Sequence, residues 1–377
     1  MSKRLKILEL CEFSAGGCGV FARVKRESSL LRKLGYKVKI FSSNFEKGTN
    51  KIMPSKDSFE GVEITRFPAI KFGGESFMRW NFEEETRKFH PDIIIAHSYR
   101  HLHTTKALKF ARKIKARVFL VTHAPFDRAE SRSLFSRFSV WFYDTFIGSR
   151  ILNNFDKVLT ISNWELPYLK KLNIERDKLA YSPNGVDDLF FKPIKIKEQH
   201  KIIYTGRISP IKDIETIILS IPYINDKNIK IEFYGPAEKQ YLNFLKKLSK
   251  SLKIENRIIF INKFYNASEQ IKELDSAKLF ILASKSEGMP QVLIEALARK
   301  KIVIASNNKG NTDIIQNEKN GFLFKIGNVK DLADKINLAL SLKKHDLDNL
   351  KQNANKKARE FAWTNLIKKL DNLIQKA

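Results

Sequence analysis

Residues 284 to 298 read Ser-Lys-Ser-Glu-Gly-Met-Pro-Gln-Val-Leu-Ile-Glu-Ala-Leu-Ala, a polar turn running into a helical pattern. A helix is predicted to open at Pro290, because proline fits a first helical turn, where its missing N–H costs nothing. The unsatisfied N–H groups of that turn favour an anion such as phosphate. Glu287 lies in the turn ahead of it. Glu295 sits two turns into the helix, about 7.5 Å along it at ~1.5 Å rise per residue. A helix N-terminus with one acid in front and one along its side suits a ligand that has both a diphosphate and free hydroxyls. Nucleotide sugars have both.

Other residues invite the same chemistry. Arg207 follows Gly206 at the end of an apolar run, and Lys212 comes soon after. Strand ends in open α/β sheets face the ligand crevice. There Arg offers phosphate a fork and Lys a point charge. Gly16, Gly17 and Gly19 follow a first strand and precede a helix, where glycine lets backbone approach a phosphate closely. A dinucleotide fingerprint would ask for G-x-G-x-x-G and an acid ending the second strand. The chain has G-G-x-G and Lys-Val-Lys-Ile-Phe instead. His97, His101 and His103 have the look of a metal triplet, but 101 and 103 are expected to begin a helix, where residues two apart do not share a face. Lining an acceptor cleft with Tyr99 and Arg100 is the better reading. Asp346-Leu-Asp348 has the form of a metal-binding D-x-D, yet lies in a lysine-rich segment away from any strand end. No metal and no cofactor are assigned.

The Ser284–Ala298 stretch resembles the Glu-seven-residues-Glu motif of retaining glycosyltransferases of family 4, which have the GT-B fold. Tyr204-Thr-Gly-Arg207-Ile-Ser-Pro-Ile-Lys212 is similar to that family's phosphate site. Ser182-Pro-Asn184-Gly-Val-Asp187 is similar to its interdomain loop, and Ser14-Ala-Gly16-Gly17-Cys-Gly19-Val to its N-terminal glycine-rich loop. Two glutamates eight apart would mean little alone; four motifs in the right order span nearly the whole chain. The resemblance implies an α/β protein of two Rossmann-like domains facing each other across a cleft. It implies transfer of a sugar from a GDP- or UDP-linked donor to a hydroxyl acceptor, a glycan or lipid-linked glycan, with retention. By resemblance Glu295 binds the ribose hydroxyls and Glu287 the transferred sugar, while Gly288, Met289 and Pro290 offer backbone to the donor. Gly16, Gly17, Gly19, Asn184 and Gly206 join the donor site, and His123 lies near the donor sugar. Arg207 and Lys212 would carry the leaving charge in place of a metal. No covalent nucleophile is evident, so retention would run through a short-lived oxocarbenium-like species attacked from the leaving-group face.

The chain departs from the family in two places. Ala124-Pro125 follows His123 where many members have an acid. Lys309-Gly-Asn-Thr-Asp313 lacks a second glycine and has Asp313 where relatives often have glutamate. Two alternatives stay open: a GT-B-type nucleotide-sugar epimerase, and a basic nucleic-acid-binding protein.

The elements that must position these residues can be read from periodicity. Short apolar runs alternate with amphipathic segments, the pattern of a parallel α/β sheet. Strands are predicted at Lys6–Leu10, Lys37–Phe41, Asp92–Ala96, Arg117–Thr122 and Lys157–Ile161, with helices at Val20–Leu34, Leu102–Lys113 and Trp164–Leu172. The pattern breaks between Asn184 and Pro193. It resumes with strands at Lys201–Thr205, Ile229–Tyr234, Arg257–Phe260, Lys278–Leu282 and Ile302–Ala305, and helices at Asp213–Ile224, Glu238–Ser251 and Gln291–Arg299. Residues 1–188 are therefore expected to form an acceptor-side domain and 189–362 a nucleotide-sugar domain, with a helix at 363–377 packing back on the first. Residues 45–68 are turn-rich and suit a β-excursion.

Composition fits that plan. The 377 residues are 43% hydrophobic, enough for two cores. No apolar run nears the ~20 residues of a membrane span, and the start of the chain looks like a strand rather than a signal peptide, which points to the cytoplasm. Cys11 and Cys18 suit neither a zinc site nor a disulfide framework. The net charge of +28 attracts anions. It is spread along the chain, with no nucleic-acid-binding signature, so it reads first as a solvated surface and second as attraction to an anionic membrane. Between Ser131 and Arg150, Phe135, Phe138, Trp141, Phe142 and Phe146 recur at helical spacing among Arg132, Arg137 and Arg150. That stripe reads either as core or as a basic, aromatic interfacial helix.

Overall fold

The computed structural model describes residues 4–49, 51–72, 77–126 and 134–376. The chain divides into two compact units, Met1–Asn184 with Leu366–Ala377, and Gly185–Asn365.

The first unit contains β1 (Lys6–Leu10), β2 (Lys37–Ser43), β3 (Lys56–Phe59), β4 (Val62–Phe67), β5 (Ala69–Lys71), β6 (Met78–Trp80), β7 (Ile93–His97), β8 (Arg117–Val121), β9 (Lys157–Thr160) and β10 (Leu179–Tyr181). Eight of them form one sheet in the order β10-β9-β8-β7-β1-β2-β4-β3, while β5 and β6 pair separately. Pairing in the large sheet is parallel except at the β3–β4 edge. The β-excursion expected in 45–68 is this edge hairpin, with β4 returning beside β2. Strands of a parallel sheet are covered on both faces, so they read as continuous apolar runs; β7, Ile-Ile-Ile-Ala-His, is buried throughout.

The second unit contains β11 (Lys201–Thr205), β12 (Lys230–Tyr234), β13 (Ile258–Ile261), β14 (Leu279–Leu282), β15 (Ile302–Ser306) and β16 (Phe322–Phe324). Their order is β13-β12-β11-β14-β15-β16, with every pair parallel. This is the doubly wound order, in which strand order reverses between the first and fourth strands and the crevice beyond their carboxyl ends receives ligand. In the first unit the corresponding reversal lies between β1 and β7.

Most helix ends fall within a residue or two of their predicted places. One correction matters for the site. Pro290 is not helical but the N-cap, with φ −75° and ψ 109°, and the helix begins at Gln291 and ends at Ala298. Glu295 is therefore its fifth residue, little more than one turn in. The last helix, Trp363–Lys376, is assigned to the first unit from Leu366 onward. There Tyr36 is bonded to Asp371 and accepts from Gln375 Nε2 at 2.6 Å.

Candidate active site

In the second unit the carboxyl ends of β11 and β14 lie side by side, and they bring Lys212 against Glu287, with Arg207 on the turn that leaves β11. After β11 the chain turns sharply at Gly206, whose φ of +139° favours glycine. Tyr204, fully buried, donates its hydroxyl to the Arg207 carbonyl at 2.8 Å and so fixes this turn from below. Arg207 is 47% exposed and its guanidinium has only a loose 4.0 Å pairing with Glu238. Lys212 ends a single 3-10 turn, Pro210–Lys212. The Lys285 N–H donates to the Ile211 carbonyl at 2.9 Å, tying this turn to the loop after β14. Lys212 Nζ then reaches Glu287 Oε1 at 2.5 Å, and Ser284 Oγ donates to the same oxygen at 2.6 Å.

The Glu287 loop is held from two further sides. Ser306 Oγ and Asn308 Nδ2 both donate to the Ser284 carbonyl, at 2.6 and 2.8 Å. Gly310 lies so close that a Cβ there would sit 2.5 Å from the Glu287 carbonyl oxygen. Gly288 is half-buried, and Met289 and Pro290 are buried at the head of the Gln291–Ala298 helix. Glu295 is also buried, accepting from Gln270 Nε2 at 2.5 Å and Gln291 Nε2 at 3.0 Å. Burial outweighs those bonds and pushes its pKa up to about 7. Asn308 and Gln270 were not singled out from the sequence. Gln270 follows the Asn266–Glu269 capping box of its helix, but only the fold shows that it meets Glu295.

In the first unit, Gly16, Gly17 and Gly19 form an exposed loop between β1 and the helix Gly19–Lys33. Gly16 has φ +77°, and a Cβ would come 2.7 Å from the Lys47 carbonyl oxygen. Asn184 is the last residue of the unit before Gly185. His123 follows β8, with His123 and Ala124 both left-handed, φ 57° and 51°. Ser98 and Arg100, after β7, are left-handed as well. Such backbone is costly in non-glycine residues and collects at functional sites.

His123 does not stand alone. Its Nε2 lies 2.9 Å from His97 Nδ1, and His97 Nε2 lies 2.7 Å from Glu9 Oε2. Behind Glu9 is Glu27, which takes Arg23 Nε at 3.1 Å. Arg23 also donates to the Ser182 and Pro183 carbonyls at 2.6 and 3.1 Å. Glu9, Arg23, Glu27 and His97 are all buried. Burial raises Glu9 to about 8 against the pull of Arg23, and lowers His97 to about 3. Burial first, and His97 second, hold His123 well below its ordinary value. Sequence reasoning missed Glu9, Arg23 and Glu27. The signal was present: a glutamate inside the apolar strand Lys-Ile-Leu-Glu-Leu needs a partner, and Arg23 and Glu27 are one helical turn apart.

His101 and His103 call for a correction. His101 is the extended N-cap residue of its helix, φ −94° and ψ 145°, rather than a helical residue. Both rings therefore reach one carboxylate, Glu12 Oε2, at 3.1 and 2.5 Å. Burial raises Glu12, but His103 and His101 outweigh it and hold the carboxyl below its usual range. Glu12, His101 and His103, like Glu9, Glu27 and His97, are metal-ligating types gathered within 4.8 Å. In the first group both imidazoles already contact the Glu12 carboxylate, and in the second the Arg23 guanidinium supplies the cation.

Residues 131–133 of the aromatic stripe, with Ser131 and Arg132, lie outside the described residues, as does the side chain of Phe135. The rest is surface, not core. Phe138, Trp141, Phe142 and Phe146 are 61, 55, 47 and 53% exposed and touch one another in a cluster. They sit on the helix Leu134–Phe142 and the wider-wound segment Tyr143–Gly148. Asp144 anchors that segment, accepting from Arg100 Nε at 2.9 Å and from the Tyr99 hydroxyl at 3.0 Å. Among the described residues, no helix is long and apolar enough to cross a membrane.

Comparison with known proteins agrees with this architecture. Residues 18–188 match the family model Glycosyltransferase Family 4, and residues 186–360 match Glycosyl transferases group 1. Over 37% of the chain there is 30% identity to a poly(ribitol-phosphate) alpha-N-acetylglucosaminyltransferase of Staphylococcus aureus, covering 28% of that protein. An alpha-monoglucosyldiacylglycerol synthase of Streptococcus pneumoniae is 24% identical over 81% of the chain and 72% of its own length. Across several of the curated relatives it matches, the chain spans between 28% and 61% of their length. The structure of Anabaena Alr3699/HepE, solved with UDP and glucose, superposes with a TM-score of 0.77 at 17% identity, covering 99% of this chain and 100% of that one. Two doubly wound units, each matched by its own half of the family, make this chain a member of the GT-B glycosyltransferases of family 4 and group 1.

Proposed function

We propose that the chain transfers a sugar from a GDP- or UDP-linked donor to a hydroxyl acceptor, a glycan or lipid-linked glycan, with retention and without a metal. One observation carries this reading: Lys212 meets Glu287 where β11 and β14 end, ahead of a helix N-terminus, with the half-exposed Arg207 on the turn that leaves β11. Departure of the nucleoside diphosphate builds negative charge there. Arg207, Lys212 and the backbone near Gly206, Gly288, Met289 and Pro290 stabilise it as a preorganised anion site. Glu287, presented beside Lys212, takes the transferred sugar, and Glu295 the ribose hydroxyls. In the first unit, Gly16, Gly17, Gly19, Asn184 and His123 are the candidate donor contacts that the resemblance implies.

The exposed aromatic cluster supports a membrane-presented acceptor, as does the name of the pneumococcal relative. Apolar rings enter the headgroup boundary, and exposed Arg137 and Arg150 each add roughly 1 kcal/mol near an anionic surface.

A panel of nucleotide diphosphate sugars, screened for thermal stabilisation and for hydrolysis, tests the reading. One donor is expected to give both. Arg207→Ala and Lys212→Ala are each expected to cut turnover by about 10²-fold, with EDTA without effect and the anomeric configuration retained by NMR. Unchanged kinetics in both variants would refute the phosphate site. Loss of activity on chelation, restored by Mg²⁺ or Mn²⁺, would refute metal independence.

A further inference from the structure

Glu12, His101 and His103 gather where β1 and β7 end in the first unit, and two of their atoms lack a hydrogen bond. Glu12 stands two residues past β1, while His101 caps and His103 opens the helix Leu102–Ile114 that follows β7. His101 Nδ1 lies 3.1 Å from Glu12 Oε2, and His103 Nδ1 lies 2.5 Å from the same oxygen. On the other side of its ring, His103 Nε2 is 2.9 Å from the His97 carbonyl oxygen. A carbonyl only accepts, so Nε2 carries the hydrogen, and Nδ1 of the neutral ring carries a lone pair. That lone pair faces an electron-rich carboxylate oxygen. Among the described residues, neither His103 Nδ1 nor Glu12 Oε1 has a hydrogen-bond partner, although His103 and Glu12 are only 1% and 4% exposed. Buried polar atoms are rarely left in that state.

A cation between these atoms removes the conflict. A proton on His103 Nδ1 answers only part of it, because that nitrogen makes no hydrogen bond to Oε2 and Glu12 Oε1 stays unmatched. A divalent ion draws on both imidazoles and the carboxylate at once. Two imidazoles and one carboxylate are a donor set that zinc takes, with a fourth position left to water. The three donor atoms lie within 4.8 Å of one another. Bonds of about 2.0–2.2 Å in a tetrahedron hold neighbouring donors about 3.3 Å apart. Only the contact between His103 and Glu12 has to open, and the broad terminal torsion of a glutamate allows that at low cost. The support around the site is also of the kind that bound imidazoles have, a ring N–H given to a backbone carbonyl. The Thr104 hydroxyl donates to the Ser98 carbonyl at 2.8 Å and steadies the segment between β7 and the helix. Ser98 and Arg100 in that segment hold left-handed backbone, φ 79° and 68°, which brings His101 round to Glu12.

We propose that Glu12, His101 and His103 form a structural site for one Zn²⁺ ion, held by the two Nδ1 atoms and the Glu12 carboxylate. The ion clamps the segment leaving β1 to the start of the helix after β7, two parts of the chain that are about 90 residues apart in sequence. It is independent of the transfer reading above and takes no part in the departure of the diphosphate, whose proposed contacts Arg207 and Lys212 belong to the second unit. Imidazole donors select zinc over Mg²⁺ and Mn²⁺, which favour oxygen. The sequence rule that set His101 and His103 on different helix faces does not bar the site, because His101 lies outside the helix as its cap.

Zinc titration of the full-length protein, stripped with a chelator and then dialysed free of it, tests this without any activity. Calorimetry near pH 7.5 is expected to show one Zn²⁺ bound per chain. At zinc one hundred times Kd, Tm should rise by roughly 5–10 °C. Glu12→Gln and His101→Ala each remove one ligand. Loss of a supporting partner alone costs 10- to 100-fold in metal affinity, so each should weaken binding by about 100-fold or more. His345→Ala is the control: this ring is 84% exposed beside Asp346, in the D-x-D segment, and its loss should leave affinity unchanged. Should Glu12→Gln not fold, His101→Ala decides, since its partly exposed ring caps the helix without a side-chain cap bond. A folded wild-type chain that binds no zinc overturns the proposal and leaves a protonated His103 paired with Glu12. Zinc affinity that survives in folded His101→Ala overturns it as well, because the ion then sits elsewhere.

Discussion

Glu287 and Lys212 present a conflict that one substitution can expose. At 2.5 Å the carboxylate occupies the ammonium that the donor diphosphate is proposed to need. Their side chains are only 11% and 19% exposed, so the pair is weakly screened. Two unit charges near 4 Å attract by roughly 4 kcal/mol at an effective dielectric of 20. Desolvation consumes much of that, and contacting pairs usually show coupling of roughly 0.5–3 kcal/mol. Glu287→Gln keeps the shape and the Ser284 contact but removes the negative charge. Bare nucleoside diphosphate should then bind more tightly, by roughly 1.4 kcal/mol or about tenfold, because Lys212 is released to it. Turnover of the matching nucleotide sugar should fall by about 10²-fold or more, since the group proposed to face the sugar has been lost. Calorimetric titration and initial rates read the two quantities, and their opposite signs are the diagnostic. Thermal melting serves as control: a loss of about 1 kcal/mol should lower Tm by only roughly 2–4 °C for a unit of this size. Weaker diphosphate binding in a folded Glu287→Gln protein would show that the carboxylate assists the anion site rather than competing for it.

Three further outcomes follow from the packing. Between pH 6.5 and 8, stability should fall, because Glu9 at about 8 and Glu295 at about 7 lie above the ordinary 4.5 and hold protons that the unfolded chain has released; His97, lowered to about 3, acts in the opposite sense only below about 6.5. Urea midpoints across that window should be flatter for Glu295→Gln by roughly 1 kcal/mol, and an identical slope would contradict the burial argument. Gly310→Ala places a methyl against the Glu287 carbonyl and should cost roughly 1–3 kcal/mol along with most turnover, whereas Gly19→Ala meets nothing within 4 Å and should leave urea stability unchanged. Trp141→Ser with Phe142→Ser should fold normally, since both rings are exposed, and should lose sedimentation with anionic vesicles at low salt; wild-type protein that stays in the supernatant would refute membrane docking.

The sheets were legible because parallel strands are apolar on both faces, so β1 and β11 could be bounded to the residue. The ends of helices were less so. Pro290 as cap rather than first turn depends on ψ at one residue, which composition does not set. The same limit misled the reasoning about His101 and His103: facing rules for helices do not apply to a residue one position outside the helix. The aromatic stripe has the same periodicity whether it faces core or solvent, and only the packing of Asp144 against Tyr99 and Arg100 decides which way it turns. The candidate site was readable where glycine, arginine and glutamate stand at a strand end. It was not readable where a partner arrives from a distant element, as Gln270 does for Glu295 and Asn308 for Ser284.

The two switch points also differ in kind, and the difference follows from burial. At the β11–β14 ends, Arg207 is half exposed, so its charge is available to an arriving anion, which must compete with Glu287 for Lys212. At the β1–β7 ends, Arg23 is wholly enclosed and spends its charge on Glu27 and on the carbonyls of Ser182 and Pro183. A guanidinium so committed cannot serve a ligand. What it does is favour the ionised forms of Glu9 and Glu27 against the burial that raises both. Replacing Arg23 with Met tests that logic: with its pull removed, the fall in stability with rising pH should extend to higher pH than in the wild-type protein. A pH dependence of urea stability identical to wild type in folded Arg23→Met would mean that burial alone sets both carboxyls.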